Sequence, residues 1–305
     1  MALRPIRSSK PARRCWTPGA RPRPKNSPPK RSKEDPKSAA ALEFDARVKF
    51  YEGRYAEALA VFERALAIDS TNQRRQALKL LTQFTVDVHK SLSATKARIL
   101  FLFADDKRDA ILVPHALAAW KRATKQPGPS SAFIRKKVQV EIAPDATSFN
   151  AISTLSLRDI EETGAVGICK FNKLMIISPR ALSFGYRWLD SLSHEYQHYA
   201  IVALSNNQAP IWLHEGMARF YETRWRKPAP TTDAAEDYLT PANQTLLVQA
   251  LAKNQFVGFK NMEPSLIHLE TPEQVQLAYA EARLSGGFHQ PEQRPGGGPA
   301  NCSQR

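Results

Sequence analysis

The chain has 305 residues, of which 42% are hydrophobic, enough for one large domain or two domains with a substantial buried core. Its formal net charge is +15, but residues 1–40 hold 12 of the 44 Lys and Arg and only 2 of the 29 acidic residues. The positive charge therefore belongs mostly to an N-terminal tail. It does not indicate a folded nucleic-acid-binding domain. Cys15, Cys169 and Cys302 lie far apart without CxxC spacing, so neither a thiolate zinc site nor a disulfide framework is indicated.

Residues 1–38 are predicted to form a disordered, basic, Pro-rich tail. Eight prolines fall within the first forty residues, and proline interrupts both helices and sheets. Weak binding to polyanions is the alternative role for this tail, without any specific nucleic acid partner. No apolar signal segment follows the basic residues, and apolar runs such as 99–104 are too short to span a membrane. A cytoplasmic protein without a membrane span is therefore expected, unless a misassigned start codon conceals a signal.

Residues 39–95 are predicted to be helical. Apolar residues recur with helical period over 41–51 and 56–69, on either side of a break. The pattern resembles the second half of a tetratricopeptide repeat (TPR) at Gly53, Tyr55, Ala58, Phe62, Ala65, Ile68 and Asp69. One repeat is clear, whereas solenoids need about three, so the hairpin is expected to lean on a helix over about 73–94 or on the following domain. Either a peptide-binding module or a structural cap fits this segment.

Residues 96–284 are predicted to form a mixed α and β domain. Alternation with period two at 138–142 indicates a half-buried strand. Strands are also predicted over 97–103 and, as a hairpin around Phe171 and Asn172, over 165–170 and 173–178. Helices are predicted over 107–124, 145–153, 186–205, 211–226, 242–253 and 272–284.

The helix over 186–205 carries a His-Glu-x-x-His box at His194, Glu195 and His198. Residues i and i+4 lie on one helix face, so both histidines can bind one metal ion. Glu195 lies beside them, where it can hold and deprotonate a metal-bound water. Alone, the box is also compatible with two solvated histidines, because three fixed residues recur by chance.

A catalytic zinc takes three protein ligands and a water, and no further histidine follows within 199–208. Glu215 is the candidate third ligand, because 17 residues after His198 suit a helix that ends, turns and returns antiparallel. His214 is the rival ligand. The two lie about 100° apart around the helix, so both cannot easily bind the same ion.

The two motifs together resemble those of the peptidase MA-like domain of gluzincin zinc metallopeptidases. That family carries HExxH and then P-x-W-L-x-E-G-x-A on the next helix, which this chain matches at 194–198 and 210–218. With the helical segment before it, the chain is similar to a bacterial group of TPR-containing MA-like proteins. The resemblance covers about 95–284. It implies an α+β, zincin-like fold with a small mixed sheet and active-site helices, preceded by the TPR-like hairpin.

The resemblance also implies site roles. His194, His198 and Glu215 match the ligands of Zn²⁺, and Glu195 matches the general base. Related gluzincins use a Tyr or His from the C-terminal part to stabilise the oxyanion, and Tyr279 is the candidate here; its alternative role is a core aromatic. Asp190 is expected either to orient His194 or to be solvated or a helix cap. Gly216 is expected to let the two motif helices pack closely.

These observations predict a zinc-dependent metallopeptidase acting on a peptide or protein substrate, with a possible protein partner at the TPR-like hairpin. The alternative is a non-catalytic TPR-like scaffold with a structural or vestigial zinc site; a nucleic-acid binder has the least support. Helical periodicity stops near Leu284, and 285–305 is predicted to be a disordered tail. The side of the substrate cleft that C-terminal helices would form is therefore expected to be incomplete, through truncation or a frame shift.

Overall fold

A computed structural model describes residues 38–96, 100–105, 107–125, 138–226, 239–263, 266 and 269–288. Residues 1–37 and 289–305 of the two predicted tails lie outside the described residues. The described chain combines helices with a five-stranded sheet, so the predicted α+β class is confirmed.

The helices are α1 (Ala39–Tyr51), α2 (Tyr55–Ile68), α3 (Gln73–His89), α4 (Leu112–Ala123), α5 (Ala146–Ile152), α6 (Leu157–Thr163), α7 (Trp188–Ser205), α8 (Ile211–Tyr221), α9 (Pro241–Lys253) and α10 (Pro272–Phe288). The strands are β1 (Ser93–Lys96), β2 (Leu100–Ala104), β3 (Val138–Ala143), β4 (Gly167–Lys170) and β5 (Lys173–Ile177). Short 3-10 turns cover Pro179–Ala181, Arg224–Arg226 and Phe259–Met262. Within the described ranges, every helix is too short or too polar to cross a membrane.

Several helices begin at a side chain that caps their free backbone N–H groups. Ser38, Asn72, Asp145 and Thr240 each accept a hydrogen bond from the residue three positions ahead. Such caps stabilise a helix by about 1 kcal/mol. These polar residues therefore fix where α1, α3, α5 and α9 start.

The sheet has the strand order β1-β2-β3-β5-β4. β2, β3 and β5 run parallel, whereas the edge strands β1 and β4 are antiparallel to their neighbours. The predicted hairpin is present as β4 and β5. Phe171 and Asn172 join these strands with φ of 56° and 62°, the two positive values of a tight hairpin turn.

The structure differs from the predicted elements at several places. β1 was missed because its sequence, Ser-Ala-Thr-Lys, shows no apolar alternation, and 93–94 had been placed in a helix. The short helix α6 was also missed. The helix predicted over 211–226 ends at Tyr221 and is followed by the 3-10 turn. α10 continues to Phe288 instead of stopping near Leu284, so 285–288 do not belong to a disordered tail.

The two faces of the sheet bury different helices, because successive strand residues point to opposite sides. Leu174 and Ile176 join the cluster that includes Trp120 of α4 and Tyr196 of α7. Met175 and Ile177 join the cluster on the other face, with α5 and α6. The helix that carries the His-Glu-x-x-His box therefore packs directly on the sheet.

A buried charged network attaches the N-terminal helices to the sheet. The Glu141 carboxylate, with 0% exposure, accepts hydrogen bonds from Tyr55 Oη at 2.6 Å and Lys173 Nζ at 2.7 Å, and lies 2.9 Å from His89 Nε2. Burial alone would raise the pKa of Glu141, but Lys173 and His89 outweigh it and lower this pKa to about 2. Tyr55 on α2 and His89 on α3 thus contact the Glu141 carboxylate on the central strand β3.

The Glu141→Gln variant is expected to lower the free energy of unfolding by about 3 kcal/mol at pH 7, because the buried Lys173 ammonium loses its partner. The folded-state pKa of Glu141 is depressed, so its contribution is present above the ordinary value of 4.5 and is lost as pH falls towards about 2. The difference between variant and wild type should shrink over that interval. Urea denaturation across pH 7 to 2.5 measures it.

Glu57→Gln is the matched control, because this glutamate is 57% exposed and pairs only with the exposed Arg54 within the described residues. Its removal should change stability little. Equal stability of Glu141→Gln and wild type at pH 7 would show that the network does not stabilise the fold.

The turn between β4 and β5 is held from two sides. The Phe171 ring packs edge to face on Phe50 of α1, with ring centroids 5.4 Å apart. Asn172 Oδ1 accepts a hydrogen bond from Tyr199 Oη of α7 at 3.1 Å. The edge strand β4 is thereby fixed between the N-terminal helices and the helix carrying the box.

Candidate metal centre

The chain reverses between α7 and α8 within a few residues. Asn206 and Asn207 have φ of 56° and 59°, left-handed values that asparagine tolerates at a helix end. Pro210 then occupies the position before α8, which starts at Ile211. This turn brings α8 into contact with α7, so residues near the start of α8 face the box.

His194, His198 and Glu215 converge, and one ligand atom of each lies within 4.8 Å of the others. The two histidine Nε2 atoms are 3.1 Å apart. The Glu215 carboxylate oxygens lie 3.7 Å from His194 Nε2 and 3.6 Å from His198 Nε2. These separations suit donors around a tetrahedral Zn²⁺ with bonds of about 2.0–2.2 Å, and two imidazoles with a carboxylate form a zinc donor set.

His214 does not join this group. Its ring stacks on that of His198, with centroids 5.7 Å apart and planes at 29°. His214 is buried, and this burial lowers its pKa. Of the two rival third ligands, the structure places the Glu215 carboxylate against both histidines.

Glu195 is buried beside the ligand group and is held by the edge strand. Its carboxylate accepts a hydrogen bond from the backbone N–H of Cys169 on β4. A Cβ added to Gly167 would lie 3.1 Å from Glu195 Oε1, so a glycine permits this close approach. Burial raises the pKa of Glu195 most, His194 lowers it, and the resulting pKa is about 7. A carboxyl group with such a pKa can both take and return a proton near neutral pH.

An acid that sequence reasoning missed orients the first histidine. Glu222 Oε2 lies 3.2 Å from His194 Nδ1, on the opposite side of the ring from Nε2. Arg283 Nη1 donates to the other Glu222 oxygen at 3.3 Å. A carboxylate on the distal nitrogen fixes the tautomer and the orientation of a metal-binding histidine. The signal in the sequence was spacing, since Glu222 lies two helical turns after Glu215.

Asp190 does not orient His194, and it is neither solvated nor a cap. It accepts hydrogen bonds from Trp225 Nε1 at 2.9 Å and from Arg226 Nε at 3.0 Å, and is 7% exposed. These contacts join the first turn of α7 to the 3-10 turn after α8. The expectation was wrong because this long-range pair already engages the carboxylate.

Tyr279 lies on α10 next to the site. The Arg219 guanidinium carbon is 5.2 Å from the centroid of its ring. Burial, then the charge of Glu215, raises the pKa of the Tyr279 hydroxyl. Its predicted role at the oxyanion stays a prediction.

Gly216 permits a close helix crossing, but the partner is α10 instead of α7. A Cβ at Gly216 would lie 2.1 Å from the carbonyl oxygen of Ala282. A Cβ at Gly286 would likewise lie 2.5 Å from the carbonyl oxygen of Gly216. α10 therefore packs directly behind the helix that supplies Glu215.

No protein-family profile matches this chain, and no curated protein matches it. The resemblance to peptidase MA-like proteins therefore stays a prediction from the two sequence motifs.

Proposed function

We propose that this chain is a zinc-dependent metallopeptidase of the gluzincin type with a zincin-like domain. The observation that carries the proposal is the convergence of His194, His198 and Glu215 within 4.8 Å, beside the buried carboxylate of Glu195. Two imidazoles and one carboxylate fit a catalytic zinc site, which keeps one position for water.

A bound Zn²⁺ would supply Lewis acidity, lowering the pKa of a water and polarising the scissile carbonyl. Glu195 takes the proton of the attacking water and later gives it to the leaving amine. Burial holds the pKa of Glu195 at about 7 in the metal-free site, and the charge of a bound ion would lower it, which favours the carboxylate form that accepts the proton. Glu222 keeps His194 oriented throughout, through the contact at Nδ1. Tyr279 is proposed to donate to the developing oxyanion.

The substrate is proposed to be an extended peptide that pairs with β4. This strand lies at the edge of the sheet; its Cys169 N–H donates to Glu195, and a Cβ at Gly167 would lie 3.1 Å from Glu195 Oε1. An edge strand can bind an extended peptide through backbone hydrogen bonds, while pockets for the peptide's side chains set specificity. A peptide held there would run past the general base.

Metal analysis of purified wild type beside Glu215→Ala tests the proposal. Wild type is expected to bind one equivalent of zinc. Glu215→Ala should lose more than about 100-fold in affinity, because even residues behind the ligands contribute about 10–100-fold. Competition with a chromophoric chelator measures both affinities.

His214→Ala is the matched control, since it changes the neighbouring residue and the rival ligand. It should retain zinc with an affinity close to that of wild type. Retention by Glu215→Ala together with loss in His214→Ala would assign the third ligand to His214. Wild type without zinc would overturn the proposal, and zinc without cleavage of a broad peptide library would support the scaffold alternative.

A further inference from the structure

Arg219 presents a partly exposed positive charge on the helix that supplies Glu215. It lies on α8 one turn after Glu215, and 43% of its side chain is exposed. Its Nη1 atom is 3.4 Å from Glu222 Oε2, the same oxygen that lies 3.2 Å from His194 Nδ1. On the other side the guanidinium lies over the Tyr279 ring. The Arg219 guanidinium therefore lies between α8, which supplies Glu215, and α10.

Arg219 and Arg283 both pair with Glu222, but they differ in exposure. Arg283 donates to Glu222 Oε1 and its side chain is 11% exposed, whereas the side chain of Arg219 is 43% exposed. Arg219 Nη1 contacts Glu222 Oε2 at a similar distance of 3.4 Å, and no second hydrogen bond to the described residues engages its remaining guanidinium donors. Within the described parts of the chain, Glu222 is the carboxylate at ion-pair distance from Arg219.

Arg219 also lies near the proposed ligands. It follows Glu215 by four residues on α8, and its Nη1 contacts the Glu222 oxygen that lies 3.2 Å from His194 Nδ1. A guanidinium presents a planar fork of donors that matches a carboxylate with two parallel hydrogen bonds. An anionic group on a bound peptide would therefore meet an exposed partner close to the scissile bond.

We propose that Arg219 is a specificity-determining residue that pairs with a carboxylate of the peptide substrate, next to the bond that is cleaved. This rests on the proposed peptidase function of the same site. The carboxylate comes from the peptide's C-terminus or from an Asp or Glu side chain. Both sources offer the same planar anion.

Two pairs of matched peptides test the proposal on the zinc-loaded enzyme. One pair differs by a free or amidated C-terminus, and the other by Glu or Gln beside the cleaved bond. Wild type is expected to favour the carboxylate member of at least one pair by about 10–100-fold in kcat/KM, mainly through KM, as a charge-assisted bond predicts. The pair that responds identifies the source.

In Arg219→Gln the ratio of kcat/KM between the two members of that pair should fall close to one. Arg219→Lys should keep only part of the preference, because lysine has the charge but lacks the planar, two-donor geometry of the guanidinium. Arg64→Gln, which removes an exposed arginine of α2, is the control and should retain the full preference. No preference in wild type for either pair would overturn the proposal. An Arg219→Gln variant that lowers kcat/KM equally for all four peptides would also overturn it. That result would indicate that Arg219 only positions Glu222.

Binding of the same peptides to Glu195→Gln, measured by calorimetry with and without zinc, provides a readout apart from activity. The carboxylate members should bind about 10–100-fold more tightly, and adding Arg219→Gln should remove the difference. If wild type binds no zinc or cleaves nothing, the peptidase proposal fails. The binding difference then still decides whether Arg219 selects a carboxylate.

Discussion

The Glu195→Gln variant is expected to lose about 10³-fold or more of the rate of peptide hydrolysis while still binding zinc. Glutamine keeps the shape of the side chain but cannot take a proton from water. Glu195 is absent from the converged ligand group, so its replacement should leave the metal affinity largely intact. Single-turnover hydrolysis of a fluorogenic peptide, with zinc content measured on the same samples, separates these two effects.

Glu161→Gln, an exposed glutamate of α6, is the control and should cleave at the wild-type rate. Hydrolysis by Glu195→Gln at that rate would show that another group acts as the base. A lower rate accompanied by loss of zinc would indicate that Glu195 supports the metal instead of moving protons.

The features that local sequence predicts are those set by helical and strand periodicity. The i and i+4 spacing of His194 and His198 requires only a helix, which α7 provides. Glu215 was predicted as the third ligand because its distance along the chain from His198 allows the chain to reverse direction after α7. The turn at Phe171 and Asn172 was predicted because two apolar runs flank these residues.

The features that the sequence did not predict depend on how distant elements meet. Glu222 contacts His194 and Arg283, residues 28 and 61 positions away, and its spacing from Glu215 indicates a shared helix face without identifying these two partners. The same holds for Glu141, whose partner Tyr55 is 86 positions away. The Tyr55 ring packs with Phe50 as a helix–helix contact predicts, but its hydroxyl reaches the sheet.

The end of α10 was predicted wrongly for a physical reason. Glycine normally weakens a helix, so Gly286 and Gly287 indicated a helix end. In the structure, the missing side chain at Gly286 is what allows α10 to lie against the backbone of Gly216. Gly286 lowers helix propensity but allows α8 and α10 to pack closely, and a local pattern cannot show that benefit.

The Gly216→Ala variant is expected to lose about 4 kcal/mol or more of its free energy of unfolding. Losses of that size are typical of severe steric or electrostatic defects. In an exposed helix the same change would stabilise by roughly 0.5–1 kcal/mol. Here the new methyl group would lie 2.1 Å from the Ala282 carbonyl oxygen and 2.8 Å from its carbon. These are backbone atoms, so no side-chain rotation relieves the overlap, and α10 must move away. Urea denaturation at pH 7 measures the loss.

Gly164→Ala is the matched control, because an added Cβ there meets no atom within 4 Å and the cost comes only from its φ of +64°. That strain is about 1–2 kcal/mol. Displacing α10 would also draw Arg283, the neighbour of Ala282, away from Glu222 and loosen the support of His194. Any folded fraction of Gly216→Ala should therefore bind zinc more weakly than Gly164→Ala does. A Gly216→Ala variant as stable as wild type would contradict the close crossing of α8 and α10.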